Sequence, residues 1–170
     1  RGSISGADSF YRSCEIHARQ DGNLIETSEF VGGNIEIGNV KMFSSAEQVG
    51  GGRGLIDFGS QNRSVNSATR MNVTLRLTKF IINAPQLARD EAIIRLHNNG
   101  STVRINIFAE HGKLNIPNPV QFLRTELVSG RDESDYIILS DISGLPQGSR
   151  AHVSVGDSYL RGKRTLSISE

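Results

Sequence analysis

Arginine is the residue type through which this chain could do chemistry. Of its 19 Lys+Arg, fifteen are arginine, and a guanidinium presents a rigid fork of donors that fits a carboxylate or phosphate bidentately. Arg95 and Arg104 are the sharpest case. They flank Asn99-Gly100, a pair that favours a two-residue hairpin because both central residues need positive φ. A turn there sets Leu96 opposite Val103, Ile94 opposite Ile105, and Arg95 opposite Arg104. Like charges opposed across strands destabilise, so this register predicts an anion close by: Asp90, Glu91 or Glu110, a carboxylate of another subunit, or a ligand. Arg95, Arg104, His97 and Arg76 are therefore the candidate ligand- or interface-binding residues, joined by Arg53 at the tip of a glycine-rich loop.

That loop, Gly50-Gly51-Gly52-Arg53-Gly54, lacks the lysine of a phosphate-binding P-loop and the spacing of a dinucleotide fingerprint. A short strand, Leu55 to Gly59, follows it where those motifs require a helix, so it reads as a loop or coil corner. The carboxylates Asp132, Glu133 and Asp135 crowd one loop and read as solvated charge or a calcium site. With Asp57 and Glu110 they are the candidate acids for sugar hydrolysis, which needs two carboxylates held across a glycosidic bond. His17, His97, His111 and His152 share no metal-ligand spacing, and Cys14 is the single cysteine, so neither a disulfide within the chain nor a metal or cofactor is expected. A net charge of +1 argues against nucleic acid. The longest apolar run falls short of the roughly 18 residues of a spanning helix, so membrane insertion is not expected.

The elements that must position these residues are strands. Met71 to Thr78 alternates strictly, and the alternation breaks at Lys79–Ile82 as a bulge or strand end would make it. Val103, Ile105, Ile107 and Ala109 repeat the pattern, with Arg104, Asn106 and Phe108 on the opposite face. Ala151–Val155 and Leu166–Ser169 repeat it again, and Tyr136–Leu139 reads as a strand buried on both faces. Arg161, Lys163 and Arg164 fall in the turn before the last strand. One helix is expected over 119–129, with Asn118 as cap, Pro119 at the first position, Val120, Leu123 and Leu127 on one face, and Gly130 closing it. Ile35, Ile56, Leu75 and Ile94 centre short apolar segments 19 to 21 residues apart, a spacing that a solenoid of β-coils or a sandwich with average loops would produce.

Where Gly-Asn turns precede short strands, as in Gly33-Asn34-Ile35-Glu36-Ile37-Gly38-Asn39-Val40-Lys41-Met42, the chain resembles the distal, receptor-binding part of bacteriophage tailspikes. The Gly/Asn/Ser-rich texture, the single cysteine and an N-terminus at Arg1-Gly2-Ser3, without methionine, agree with a C-terminal fragment of such a spike. The resemblance implies a β-helical or jelly-roll module that trimerises, helps its parent chain fold and touches cell-surface polysaccharide, as part of a virion tail appendage assembled in the host cytoplasm. The family's catalytic carboxylates map onto no position here. The expectation is thus one all-β domain over 1–170: a β-sandwich or jelly roll with irregular β-helix-like coils and one short helix. Residues 1–20 form a lead-in, 21–110 a Gly/Asn-rich β region, and 111–170 the helix and closing strands. Its expected role is non-enzymatic trimerisation and glycan attachment. The alternatives are a polysaccharide-degrading domain of such a spike, and a viral capsid or bacterial adhesin domain.

Overall fold

The computed structural model describes residues 9–18, 22–28, 32–60, 70–98, 102–127, 132–153 and 163–168. Its strands fall into two sheets. The larger holds β1 (Ser9–Arg12), β2 (Glu15–His17), β4 (Gly32–Phe43), β6 (Arg70–Asn83), β8 (Thr102–Asn115), β10 (Asp132–Ser143) and β12 (Lys163–Ile168). The smaller holds β3 (Ile25–Ser28), β5 (Ile56–Ser60), β7 (Ala92–Asn98), β9 (Gln121–Leu127) and β11 (Arg150–Val153). From β2 onward the chain alternates between the sheets strand by strand, and every pairing among the described residues is parallel. Each coil adds one long strand to one sheet and one short strand to the other. The all-β expectation holds, and the coil form of it is the one these parallel ladders build: a β-helix.

Each long strand turns a corner at one residue in the left-handed region. Asn39, Lys79, His111 and Asp141 have φ of 53°, 52°, 56° and 52°, and Ser13 between β1 and β2 has 49°. The registers on either side stack these five in one column down the coils. The inserted residue flips the phase of the alternation: Leu75 and Leu77 are buried before the corner in β6, Phe80 and Ile82 after it. The break expected at Lys79–Ile82 is this corner. Asn and Asp accept the left-handed conformation most readily. Side chains in the column also bond along it, Asn39 Nδ2 donating to Ser13 Oγ at 3.3 Å and His111 Nδ1 meeting Asp141 Oδ2 at 2.7 Å.

Inside, register stacks apolar residues into columns: Ile35 on Leu75 on Ile107, Val40 on Phe80, Met42 on Ile82 on Leu114, and Ile25 on Ile56 on Ile94 on Leu123. All of these are buried. β4 and β6 each bury four apolar residues, two before the corner and two after it, so the core is continuous without any long apolar run.

Three expectations are corrected here. The hairpin is absent: β7 pairs with β5 and β9, and β8 with β6 and β10, so Leu96 lies opposite Phe58 and Thr125, and Val103 opposite Met71 and Asp132. The Asn99-Gly100 turn itself lies outside the described residues, but the strands flanking it belong to different sheets. The apparent agreement of the hairpin register had a trivial source, since any two alternating strands match apolar to apolar in half of all registers. Because they are in different sheets, Arg95 and Arg104 do not oppose each other.

The helix over 119–129 is replaced by β9, residues 128–129 lying outside the described ones. Val120, Gln121, Phe122 and Leu123 are buried consecutively, which one helical stripe cannot achieve. Asn118 caps no helix; its side chain donates to Leu87 O at 2.9 Å. The third correction concerns loops: Asp132, Glu133 and Asp135 begin β10, and Lys163 and Arg164 begin β12, while Arg161 lies outside the described residues.

Candidate functional site

The outward positions of the larger sheet form a groove of about 500 Å³ that runs across the strands. One register row along it reads Phe10, Glu36, Arg76, Phe108. A second, two residues earlier in each strand, reads Asn34, Thr74, Asn106. Adjacent parallel strands are about 4.8 Å apart, so the first row spans roughly 14 Å. Alternation sends these side chains outward because Ile35, Leu75 and Ile107, between the two rows, point into the core.

The groove is chemically uneven. The Arg76 guanidinium lies over the Phe108 ring, 4.3 Å from its centroid, a favourable cation–π arrangement. Arg12 stands over Phe10 at 5.4 Å and donates to Glu36 Oε2 at 2.9 Å, which offsets the Glu36 charge. Among the described residues no carboxylate bridges to Arg76. The Oδ1 of Asn106 is enclosed and accepts no hydrogen bond from them.

The glycine-rich stretch serves the opposite sheet. Gly50–Gly52 make a 3-10 turn, with no helix after it, and the loop folds over the outer face of β5 and β7. Asp57 and Arg95 lie opposite each other in register, only 2% and 4% exposed. Arg95 Nε donates to Asp57 Oδ1 at 2.6 Å and its Nη2 to Oδ2 at 3.3 Å. Gly54 N donates to the same Oδ1 at 2.9 Å, and Arg95 Nη1 and Arg124 Nη2 both donate to Gly52 O. An anion does stand beside Arg95, but it is Asp57 and none of Asp90, Glu91 or Glu110; Asp57, a candidate hydrolytic acid, is committed to a buried ion pair. Gly54 is glycine because a Cβ would lie 2.9 Å from Arg95 N.

Beside this clasp, Glu91 accepts a hydrogen bond from Val49 N at 3.4 Å. Burial raises its pKa from the ordinary 4.5, against the pull of the Val49 N–H and of Arg124. The folded chain therefore keeps this proton to higher pH than the unfolded chain. Stability from the group is fullest below 4.5 and declines as pH rises through the window above it. Glu91→Gln is expected to remove that decline, so that melting curves from pH 4 to 7 show the variant gaining on the wild type as pH rises.

Among the candidate residues whose side chains are described, Arg76 lines the groove and Arg53 and Arg95 do not. Arg104 sits in β8 between Asn72 and Glu133 in register, in step with Asn106 and Phe108. His97 is in β7 of the other sheet, opposite Gly59 and Glu126. Arg53 is half-buried in the glycine loop. Glu36, Asn34, Thr74 and Phe10 belong to no motif; alternation sets the outward parity of Asn34, Glu36 and Thr74, but only the register shows which coil stacks on which.

No family model matches the chain, and no curated protein does. Among solved structures, it is similar to the tailspike protein gp49 from Pseudomonas phage LKA1, with a TM-score of 0.75 at 22% identity over 92% of this chain. The chain spans 28% of the length of that tailspike. In fold, the chain is thus a parallel β-helix like one stretch of a bacteriophage tailspike.

Proposed function

We propose that the chain is a β-helical module of a phage tailspike, part of a virion tail appendage, that binds host-surface polysaccharide along the groove without cleaving it and assembles as a homotrimer. The observation that carries the binding reading is the groove itself: an elongated channel across the coils, with aromatic rings at both ends and amide, hydroxyl and guanidinium groups between them. Apolar faces with a few convergent polar groups suit an extended sugar chain. The rings at Phe10 and Phe108, each with an arginine over one face, supply aromatic surface at the two ends of the row.

Support for binding without cleavage comes from the acids. Glu36 is paired with Arg12 and Asp57 is buried with Arg95. Glu110 lies two strands and two residues from Glu36, roughly 12 Å between backbones by strand spacing and rise, wider than the about 5–9.5 Å between the carboxylates of glycosidases. Purified bacterial capsule and O-antigen polysaccharides provide the test. Binding is expected with no new reducing ends or unsaturated sugars, and Phe108→Ala should weaken it about tenfold, near 1.4 kcal/mol. Bound polymer that is shortened would make the module a depolymerase instead. For assembly, light scattering should give three times the 18.5 kDa chain mass; a stable monomer at micromolar concentration would count against the trimer.

A further inference from the structure

Building on the binding reading above, we infer that the groove's ligand is an acidic glycan whose repeating unit carries a carboxylate, and that Arg76 selects for it. Two features of the cation lead there. First, the charges around the groove do not balance: Glu36 is matched by Arg12, and no described carboxylate matches Arg76. Arg76 is exposed on β6, with its charge open to a ligand in the groove.

Second, Arg76 is held for use. A guanidinium over an aromatic ring satisfies its face and leaves its N–H donors directed outward in the plane. The Phe108 ring at 4.3 Å thus limits the rotamers of the long side chain before any ligand arrives, which lowers the ordering cost of binding. A planar carboxylate matches that fork bidentately, whereas a neutral sugar hydroxyl engages one donor. Beside it, one strand over and two residues back, Asn106 lines the same groove and adds an amide to its polar surface. A carboxylate on Arg76, with the amides and hydroxyl of Asn34, Asn106 and Thr74 lining the groove beside it, suits an acidic, hydroxyl-bearing sugar.

The experiment uses a panel of uronate-bearing bacterial surface polysaccharides, each also in a carboxyl-reduced form that turns the uronate into the matching neutral sugar. Affinities are measured for the whole chain, for Arg76→Gln and for Arg76→Lys, with thermal melts to confirm folding of each variant. The acidic form is expected to bind about ten- to a hundredfold more tightly than its reduced partner. Arg76→Gln should erase that preference, Arg76→Lys should keep part of it, and added salt should weaken binding of the acidic form more. Equal binding of both forms, or a preference that survives Arg76→Gln, overturns the acidic-ligand inference and leaves the groove a glycan site. Binding of no polymer in either form overturns the glycan reading itself, and this inference with it.

Discussion

Replacing Asp57 by alanine is expected to destabilise the fold by about 3–5 kcal/mol, the usual result of removing one partner from a buried ion pair. Three donors converge on that carboxylate: Arg95 Nε, Arg95 Nη2 and Gly54 N. Alanine strands the Arg95 charge at 4% exposure and releases the glycine loop from the sheet. Replacing both partners with apolar residues should cost much less, because no unpaired charge remains buried. Urea unfolding measures both. A second readout separates the clasp from general packing: freeing residues 50–54 should expose the Arg53 bond, so trypsin should cut there in Asp57→Ala faster than in the wild type under native conditions. A loss under 1 kcal/mol, or unchanged cleavage, would mean the loop is held by something other than this pair.

Gly112→Val should be comparably severe, about 3 kcal/mol or more, for a different reason. Gly112 lies opposite Phe80 in register, both inside the coil. A Cβ on Gly112 would fall 2.7 Å from both Cε atoms of the Phe80 ring. The large ring on one coil fills the space left by the glycine on the next, which is the complementarity a close-packed interior demands. Overpacking of a filled core costs typically about 1–3 kcal/mol for added methyl groups, and valine adds two beyond alanine. The partner substitution supplies the check. Phe80→Leu alone opens a cavity and destabilises, whereas Phe80→Leu with Gly112→Ala should lose less than the two single changes together. Additivity of the pair in a double-mutant cycle would show that ring and glycine do not share that space.

How much of this was legible beforehand depends on the residue. Strand-forming alternation in β6 and β8 was plain, because inward Leu75, Leu77, Ile107 and Ala109 must be apolar whichever sheet holds them. The break after Thr78 was also visible, although its left-handed geometry was not. The spacing of Ile35, Ile56, Leu75 and Ile94 was a true signal at half its full step: Ile35 pairs with Leu75 and Ile56 with Ile94, one coil apart. Helix capping chemistry at Asn118-Pro119 misled because a buried strand with partners on both sides outweighs the small intrinsic preferences that cap residues express. At the groove, Arg76 was recognised as a candidate, but Phe10 and Glu36 could not be joined to it.

The sequence by itself determined that most of the chain is sheet and which side of β6 and β8 faces inward, because alternation with period two is local and follows from burying apolar groups. It also determined that arginine would carry the polar chemistry. Only the tertiary structure decided what each arginine meets. Coils of unequal length, 40 residues from Asn39 to Lys79 but 30 from His111 to Asp141, put residues far apart in the chain one strand apart in space. Parallel pairing has no turn to set its register, so Arg95 met Asp57 and Arg76 met Phe108 through coil stacking alone.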